Sequence, residues 1–355
     1  MEQPTPEQLR FVLESAILAP SADNHHRVRF TVSGDSIGVR LVDRRLPLEG
    51  GYKRVLLLLS LGALVENLTI AASRFAIATE ALLLPDPAHP DVVLKIRLRP
   101  QAAEVDPLWS MIPLRHTNRA LIFRGPAMSN EQRAELAVAV GTRPGNELIW
   151  LDETESRRQV LRLMRCAETE RFRNPLLHEE LFSAIRFDVG WQKSCTEGLP
   201  PGSLGVEAAL RIFFAALRHW SLARLANIFG AHHLLGVRSC FLPCRLAPHL
   251  GLLATRRTDD QSVINAGRSF QRLWLVVTAH GRVLQPMPAS ALYAFPAASE
   301  EGIPAALQRH LVEGWKKVLG DSFPLMLFRL GSATQSPVVS GRRPLTDYLE
   351  GAWGV

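Results

Sequence analysis

The chain has 355 residues, of which 47% are hydrophobic and 21% charged, with a formal net charge of +7 and a pI of about 9.7. This globular composition excludes wholesale disorder, and the scattered basic residues form no nucleic-acid-binding pattern. Four cysteines are too few for a disulfide framework and fit no common zinc spacing, so we expect no metal. A polar N-terminus and the lack of about 20 uninterrupted apolar residues predict a cytoplasmic protein without membrane contact.

The first part of the chain alternates helical and extended patterns. Thr5-Pro6-Glu7-Gln8 can form a capping box, which predicts the beginning of the first helix. The predicted elements are a helix from Thr5 to Pro20, strands at 28–32 and 37–42, a long apolar helix at 53–76, and, after a proline-rich turn at 85–90, a strand at 92–98.

The second part contains similar elements and one long additional segment. The predicted elements are helices at 129–140, 154–171 and 261–280, and strands at 147–151 and 323–330. Residues 175–260 have no counterpart in the first part, are rich in aromatic residues and proline, and contain an amphipathic stretch at 206–229. A segment of this length predicts a lid, a cap or an interface.

The two long helices also align with each other. The aligned pairs are Gly62 and Gly267, Glu66 and Gln271, Asn67 and Arg272, Leu68 and Leu273, and Ile70 and Leu275. Because the order of helix, turn and strand recurs as well, the sequence predicts a tandem duplication. The predicted halves are residues 1–110 and 111–355, with the additional segment at about 175–260 in the second half.

Three short motifs carry polar groups suited to a ligand. Arg115-His116-Thr117-Asn118-Arg119 has two guanidinium groups four residues apart, which can converge on one phosphate; a solvated basic loop is the alternative. Ala19-Pro20-Ser21-Ala22-Asp23-Asn24 can present short polar side chains after a helix that proline ends, or form a plain loop. Ser340-Gly341-Arg342-Arg343-Pro344 is the third motif, and a surface arginine pair is its alternative.

Together these motifs resemble the nitroreductase family of FMN flavoproteins, in its fused two-half (Acg-like) type. They are similar to the family's opening Arg-x-Ser/Thr-x-Arg segment, its Pro-Ser-x-x-Asn loop and its closing Arg-x-Pro segment. His25-His26-Arg27 stands where the family has Gln-Pro-Trp. The resemblance implies that FMN is bound by the following residues: Pro20, Ser21, Asn24, Arg115, His116, Thr117, Arg119, and Arg342 or, in reserve, Arg343.

The resemblance also implies a fold and a function. The expected fold is α+β and nitroreductase-like, with two fused pseudo-dimeric halves, each a mixed or antiparallel sheet packed by helices, and a helical lid. The expected function is an FMN-dependent oxidoreductase that transfers electrons from NAD(P)H to a small aromatic, quinone or nitro acceptor. The alternatives are a protein that sequesters FMN under the lid and a biosynthetic flavin-dependent dehydrogenase. No catalytic residue is assigned, and both a monomer and a homodimer remain open.

Overall fold

The computed structural model describes residues 3–43, 46–83, 89, 91–101 and 104–351. Within these residues the chain forms two four-stranded antiparallel sheets and twelve α-helices, which confirms the predicted α+β class. The helices and the sheets share one large hydrophobic core. The proline-rich turn predicted at 85–90 lies outside the described residues, His89 excepted.

The structure contains five helices that the sequence predicts and other helices that it does not. The helices are α1 Pro6–Ile17, α2 Tyr52–Ser73, α3 Asn130–Gly141, α4 Thr154–Arg173, α5 Pro175–Ser183, α6 Arg211–Ala216, α7 Trp220–Ile228, α8 Ala231–Gly236, α9 Leu242–Leu246, α10 Asp260–Ala279, α11 Ala289–Leu292 and α12 Ala305–Leu319. The strands are β1 Val28–Ser33, β2 Ser36–Leu41, β3 Ile77–Leu83, β4 Val92–Pro100, β5 Asn146–Trp150, β6 His249–Thr255, β7 Val283–Pro286 and β8 Phe323–Gly331. The predicted helices are α1, α2, α3, α4 and α10, whereas α11 and α12 are among the helices that the sequence did not predict. The sequence also did not predict β3, β6 or β7.

The two sheets have the same strand order. The first runs β1-β2-β4-β3 and the second β5-β6-β8-β7, with every neighbouring pair antiparallel. A tight turn at Gly34, whose φ is 58°, joins β1 to β2. The equivalent connection between β5 and β6 is the long segment 151–248, which we call the insertion.

The insertion ends earlier than the sequence predicts, because residues 249–255 form β6 instead of belonging to it. Every residue of β6 is buried, and the strand lies between β5 and β8. A strand buried on both faces has no alternation of polar and apolar residues, so the two-residue period that reveals a strand is missing. The predicted segment of about 175–260 therefore differs from this connection at both ends, since the connection begins at residue 151 and ends at residue 248.

Helices α2 and α10 pack against each other with their backbones in direct contact. A Cβ atom added to Gly62 would lie 2.1 Å from the carbonyl oxygen of Ile264, and one added to Gly267 would lie 2.3 Å from that of Leu59. The two contacts are equivalent, because Gly267 lies 205 residues after Gly62 and Ile264 lies 205 residues after Leu59. Only glycine at both positions leaves room for the helices to come this close.

Polar side chains beside this contact pair in the same reciprocal way. Arg272 Nε donates to Glu66 Oε1 at 2.6 Å, and Gln271 Nε2 donates to Asn67 Oδ1 at 2.6 Å. These two hydrogen bonds are equivalent in the same way, because Gln271 lies 205 residues after Glu66 and Arg272 lies 205 residues after Asn67. Reciprocal contacts of this kind are typical of two similar units related by a two-fold axis. The origin of the two units by tandem duplication stays a prediction.

Glu66 is a fully buried carboxylate surrounded by arginines. Its oxygens lie 2.9 Å from Arg268 Nε, 2.6 Å from Arg272 Nε and 3.4 Å from Arg143 Nη2. Burial alone would raise the pKa of Glu66, but the three arginines lower it below its ordinary value. The carboxylate therefore stays charged inside the interface and holds α2 to α10.

Helix α2 is the one helix among the described residues that is long and apolar enough to cross a membrane, by length and composition alone. However, 78% of its most apolar window is buried inside the protein. The apolar side chains of α2 pack against α1 and α10.

We expect Gly62→Ala to destabilise the protein by about 1–3 kcal/mol, because the added methyl group forces two helix backbones apart. Urea unfolding measures this change. The matched control is Gly141→Ala at the end of α3, where no atom lies within 4 Å of the added Cβ. This control should leave stability unchanged or slightly raised, since alanine favours helix. Equal effects in the two variants would contradict the close contact.

Candidate functional site

Two adjoining cavities lie between the loop after α1, helices α2 and α10, and the insertion. Their volumes are about 580 Å³ and about 250 Å³. The residues that line both are Pro20, Ser21, Asp23, Thr117, Arg119 and Leu199. Small-molecule sites in proteins usually occupy about 300–1,000 Å³, so the pair offers room for one ligand of that class.

The small cavity brings together the three motifs singled out in the sequence. It is formed by the loop after α1, the segment before residue 120, the segment at 339–342, and Leu199 and Ser203 of the insertion. Eight of the nine candidate residues line it: Pro20, Ser21, Asn24, Arg115, His116, Thr117, Arg119 and Arg342. Arg343 does not, because its guanidinium group lies 5.1 Å above the ring of Tyr348 and donates to the carbonyl of His26.

The loop after α1 is held in an unusual backbone conformation. Asp23 and Asn24 have φ angles of 51° and 59°, in the left-handed region that Asn and Asp tolerate best after glycine. Asn24 Oδ1 accepts from Arg342, and its Nδ2 donates to the carbonyls of Thr196 and Gly341. Asn24 thus joins the loop to both the insertion and the C-terminal segment.

Arg342 completes the end of α1. Its Nε donates to the carbonyl of Ile17 and its Nη2 to that of Ala19, each at 2.8 Å. Carbonyls at a helix C-terminus lack partners within the helix, so this arginine supplies them. Burial lowers the pKa of Arg342 to about 10, and the group remains a cation at neutral pH.

Arg115 is the least satisfied cation of the small cavity. Its Nη2 donates to the carbonyl of Leu18 at 3.2 Å, whereas its Nε is buried without a hydrogen-bond partner. The guanidinium group lies 4.4 Å from the ring centre of Trp274. Burial, together with the charge of Arg342, lowers the pKa of Arg115 to about 9, so it also stays charged near pH 7.

The small cavity has an excess of positive charge. Among the ion pairs of the described residues, none involves Arg115, Arg119 or Arg342. The hydroxyl of Ser21 is also buried without a partner. Buried charges and hydroxyl groups without partners are costly, and they are expected where a ligand supplies the partner. The arrangement is therefore suited to an anionic group.

Two other members of the 115–119 motif have different environments. Asn118 points away from the cavity, with its Nδ2 donating to the carbonyl of Thr334 at 2.9 Å, and so it fixes the backbone of the motif. Burial, together with the charges of Arg115 and Arg342, lowers the pKa of His116. His116 is therefore neutral at pH 7 and adds hydrogen-bonding capacity instead of charge.

The large cavity has mostly apolar and aromatic walls. Leu59 of α2, Trp274 of α10 and Met287 line it, together with Phe213 and Leu234 of the insertion. An aromatic or otherwise apolar group fits such walls. The polar small cavity and this apolar one together suit a ligand with an anionic end and an apolar body.

The sequence analysis missed a buried ion pair in the wall of the large cavity. Arg171 Nη1 lies 3.2 Å from Glu168 Oε1, and Glu168 is 6% exposed. A signal was present, because Glu168 continues the apolar stripe that Leu161 and Met164 form on α4. A charged residue on the buried face of a helix indicates a pairing or a site.

Comparison with known proteins gives a limited result. No protein-family model matches the sequence, and no curated protein matches it. The structure is similar to the FMN-dependent nitroreductase NfnB from Mycobacterium smegmatis, solved with NADPH: 18% identity, 68% of this chain and 96% of that chain covered, TM-score 0.38. It is also similar to a BluB-like flavoprotein from Clostridium difficile 630, with 12% identity, 70% of this chain and 100% of that chain covered, and a TM-score of 0.39. A third similar structure is the NADPH:FMN oxidoreductase from Vibrio harveyi, complexed with NAD⁺, with 12% identity, 67% of this chain and 74% of that chain covered, and a TM-score of 0.35. Similarity at this level establishes neither family nor activity.

We expect the stability of the ligand-free protein to fall between pH 7 and pH 5 because of His26, which lies beside the small cavity. Burial and the charge of Arg342 lower its pKa to about 3, and its Nε2 has no partner. Below about pH 6.5 the unfolded chain binds this proton and the folded chain does not. The contribution of His26 to the free energy of unfolding therefore falls by about 2 kcal/mol between pH 7 and pH 5.

Urea unfolding at pH 7, 6 and 5 tests this expectation. His26→Phe should reduce the dependence on pH by about 2 kcal/mol, since it removes one titrating group and keeps an aromatic ring beside Tyr348. The dependence that remains comes in part from His249, because burial and the charge of Arg133 lower its pKa to about 4. His310→Phe, on the exposed side of α12, should keep the dependence of the original protein. Identical pH profiles for the two variants would contradict the role of His26.

Proposed function

We propose that the two cavities bind one FMN per chain, with the phosphate in the small cavity and the ring system in the large one. The observation that supports this most directly is the buried, unpaired Arg115 beside the unpaired hydroxyl of Ser21. An FMN phosphate carries the charge and the acceptor oxygens that both groups lack. The aromatic and apolar walls of the adjoining cavity suit the ring system.

The proposed phosphate contacts follow from the charges of the small cavity. Arg115 and Arg342 would bind the phosphate through charge-assisted hydrogen bonds, which are about twice as strong as neutral ones. Ser21 would donate its hydroxyl proton to a phosphate or ribityl oxygen, and Arg119 would add a third positive charge. His116, being neutral, can donate or accept toward the ribityl hydroxyl groups.

The proposed site combines residues from both ends of the chain. We propose the halves 1–110 and 111–355, related by internal duplication, in which the first half contributes Ser21 and Asn24. The second half contributes Arg115, Arg119 and Arg342. The reciprocal contacts of Gly62 and Gly267 support a two-fold relation between these halves.

With FMN bound, we propose that the protein is an oxidoreductase that uses NAD(P)H to reduce a small aromatic, quinone or nitro acceptor. FMN supplies the hydride- and electron-transfer chemistry. The protein's own groups bind and orient the cofactor and the acceptor. Leu59, Met287 and Trp274 exclude water from one side of the large cavity, and the insertion does so on the other.

One observation favours a second candidate, a protein that sequesters FMN. The insertion contributes a whole wall of the large cavity, including Phe213, Phe214 and Leu235. A nicotinamide ring needs near-contact of about 3–3.5 Å with the group that it reduces. If the insertion blocks this approach, the bound flavin is stored and does not turn over.

We expect Arg115→Ala to weaken FMN binding about 10- to 100-fold, because a charge-assisted bond to phosphate contributes about 1.5–3 kcal/mol. Fluorescence titration of the flavin-free protein measures the Kd. Riboflavin, which has no phosphate, should bind equally well to the variant and the original protein. Equal losses for the two flavins would contradict the placement of the phosphate.

Arg343→Ala is the matched control for this experiment. Arg343 lies next to Arg342 in the sequence but outside the small cavity. Its removal should change the Kd for FMN less than three-fold. Arg342→Ala should weaken both FMN and riboflavin, because this side chain also holds α1 and Asn24 in place.

Anaerobic mixing with NADH or NADPH separates the two candidate functions. For an oxidoreductase, we expect the absorbance of bound FMN to bleach within about a second, since turnover is commonly 1–10³ per second or so. For a sequestering protein, dithionite bleaches the flavin whereas NAD(P)H does so very slowly. Shortening the insertion within 206–236 should then restore the reaction with NAD(P)H. No reaction even after this change would contradict the proposed lid.

A further inference from the structure

The insertion exposes an unusual concentration of bulky apolar side chains. Of the nineteen such side chains that are exposed in the described part of the chain, eight lie within residues 210–234. Around α6 these are Leu210, Ile212 and Phe213, and Ile212 is 87% exposed. We call these eight side chains the apolar face.

Helix α7 contributes the largest part of the apolar face. Leu222, Leu225 and Phe229 follow the spacing of three and four residues that places side chains on one side of a helix, and Ile228 lies beside them. The opposite side of this helix is packed, with Ala223 buried in a small core of its own. The apolar face therefore remains exposed after the insertion has formed its own core.

The mouth of the large cavity lies within the apolar face. Leu210, Phe213 and Leu234 line the cavity, and yet they are 48%, 56% and 72% exposed. A side chain that both lines a cavity and is exposed marks its rim. A ligand entering there passes over apolar surface.

The charges within the segment that carries the apolar face all have one sign. Residues 208–234 contain Arg211, Arg218 and Arg224 and no aspartate or glutamate. The preceding acid, Glu207, is paired with Arg238 at 2.5 Å. Helices with exposed Phe, Leu and Ile beside arginine are typical of segments that lie on anionic lipid surfaces.

We propose that the apolar face docks on an anionic lipid surface and that the large cavity receives a lipid-soluble acceptor, such as a long-chain quinone, from that surface. The docking differs from the sequence-based expectation of no membrane contact. Contact with a second copy of the chain is disfavoured, because a symmetric pairing would bring Arg218 and Arg224 of both copies together. The choice of acceptor rests on the proposed oxidoreductase function, whereas the docking does not.

Co-sedimentation of the full chain with vesicles tests the docking. We expect binding to vesicles of phosphatidylcholine with phosphatidylglycerol, weakening as salt rises, and little binding to phosphatidylcholine alone. Arg224→Gln should weaken binding about five-fold, because each basic group near such a surface contributes about 1 kcal/mol. The pair Ile212→Asp and Ile228→Asp should weaken it at least about ten-fold.

Val138→Asp is the matched control, since Val138 is 69% exposed on α3, outside the apolar face. It should bind vesicles as the original protein does, and thermal unfolding of all variants checks that they remain folded. Failure to bind anionic vesicles, or equal binding by the control and the Ile212→Asp and Ile228→Asp pair, would overturn the proposal. So would a dimer in sedimentation velocity that Ile228→Asp converts to monomer, because a second copy would then cover the face.

A second arm tests the acceptor. With NAD(P)H, the Ile212→Asp and Ile228→Asp pair should lose at least about five-fold in the reduction of a long-chain quinone embedded in anionic vesicles. Its reduction of a short-chain, water-soluble quinone should be unchanged, since neither residue lines the cavity. Equal rates with the embedded quinone would overturn the acceptor part. A chain that binds vesicles but takes up no FMN would refute the proposed function and leave the docking standing.

Discussion

The close approach of α2 and α10 is the constraint on which the rest of the structure depends. Gly62 and Gly267 let the backbones meet, and buried Glu66 with its arginines fixes their register. Because α2 packs on the first sheet and α10 on the second, this contact sets the position of one sheet relative to the other. Ser21, which follows α1, and Arg115, which precedes α3, can line one cavity only when that position is kept.

The buried charges of the small cavity destabilise the folded protein and favour the binding of an anion. Burial and the charge of Arg342 lower the pKa of Arg115, and burial lowers the pKa of Arg342. Neither arginine takes part in an ion pair with a carboxylate among the described residues. The backbone carbonyls around α1 partly compensate Arg342, while Trp274 partly compensates Arg115. A bound dianion would remove the remaining cost, so occupancy and stability are coupled at this site.

The sequence could predict α1, α2, α3, α4 and α10 and the polar motifs, because their signals are local. Capping residues mark α1 and α3, and the arginines of the 115–119 motif lie close together in the chain. Strand β6 could not be predicted, since a strand buried on both faces has no alternating pattern. The site assembled from Ser21, Arg115 and Arg342 required the family resemblance, because their proximity depends on packing between distant segments. The exposure of Ile212 and Ile228 likewise depends on which side of each helix the small core covers.

The proposed joining of two halves in one chain changes how such a site can vary. Two separate subunits would dissociate on dilution, whereas two halves on one chain meet at an effective concentration that is independent of how much protein is present. Furthermore, a substitution in a symmetric pair of identical chains appears at both equivalent positions. In a single chain the two positions can differ: Gly34 keeps a tight turn between β1 and β2, whereas residues 151–248 form the equivalent connection between β5 and β6. The single chain thus frees each half to specialise without a matching change in its counterpart.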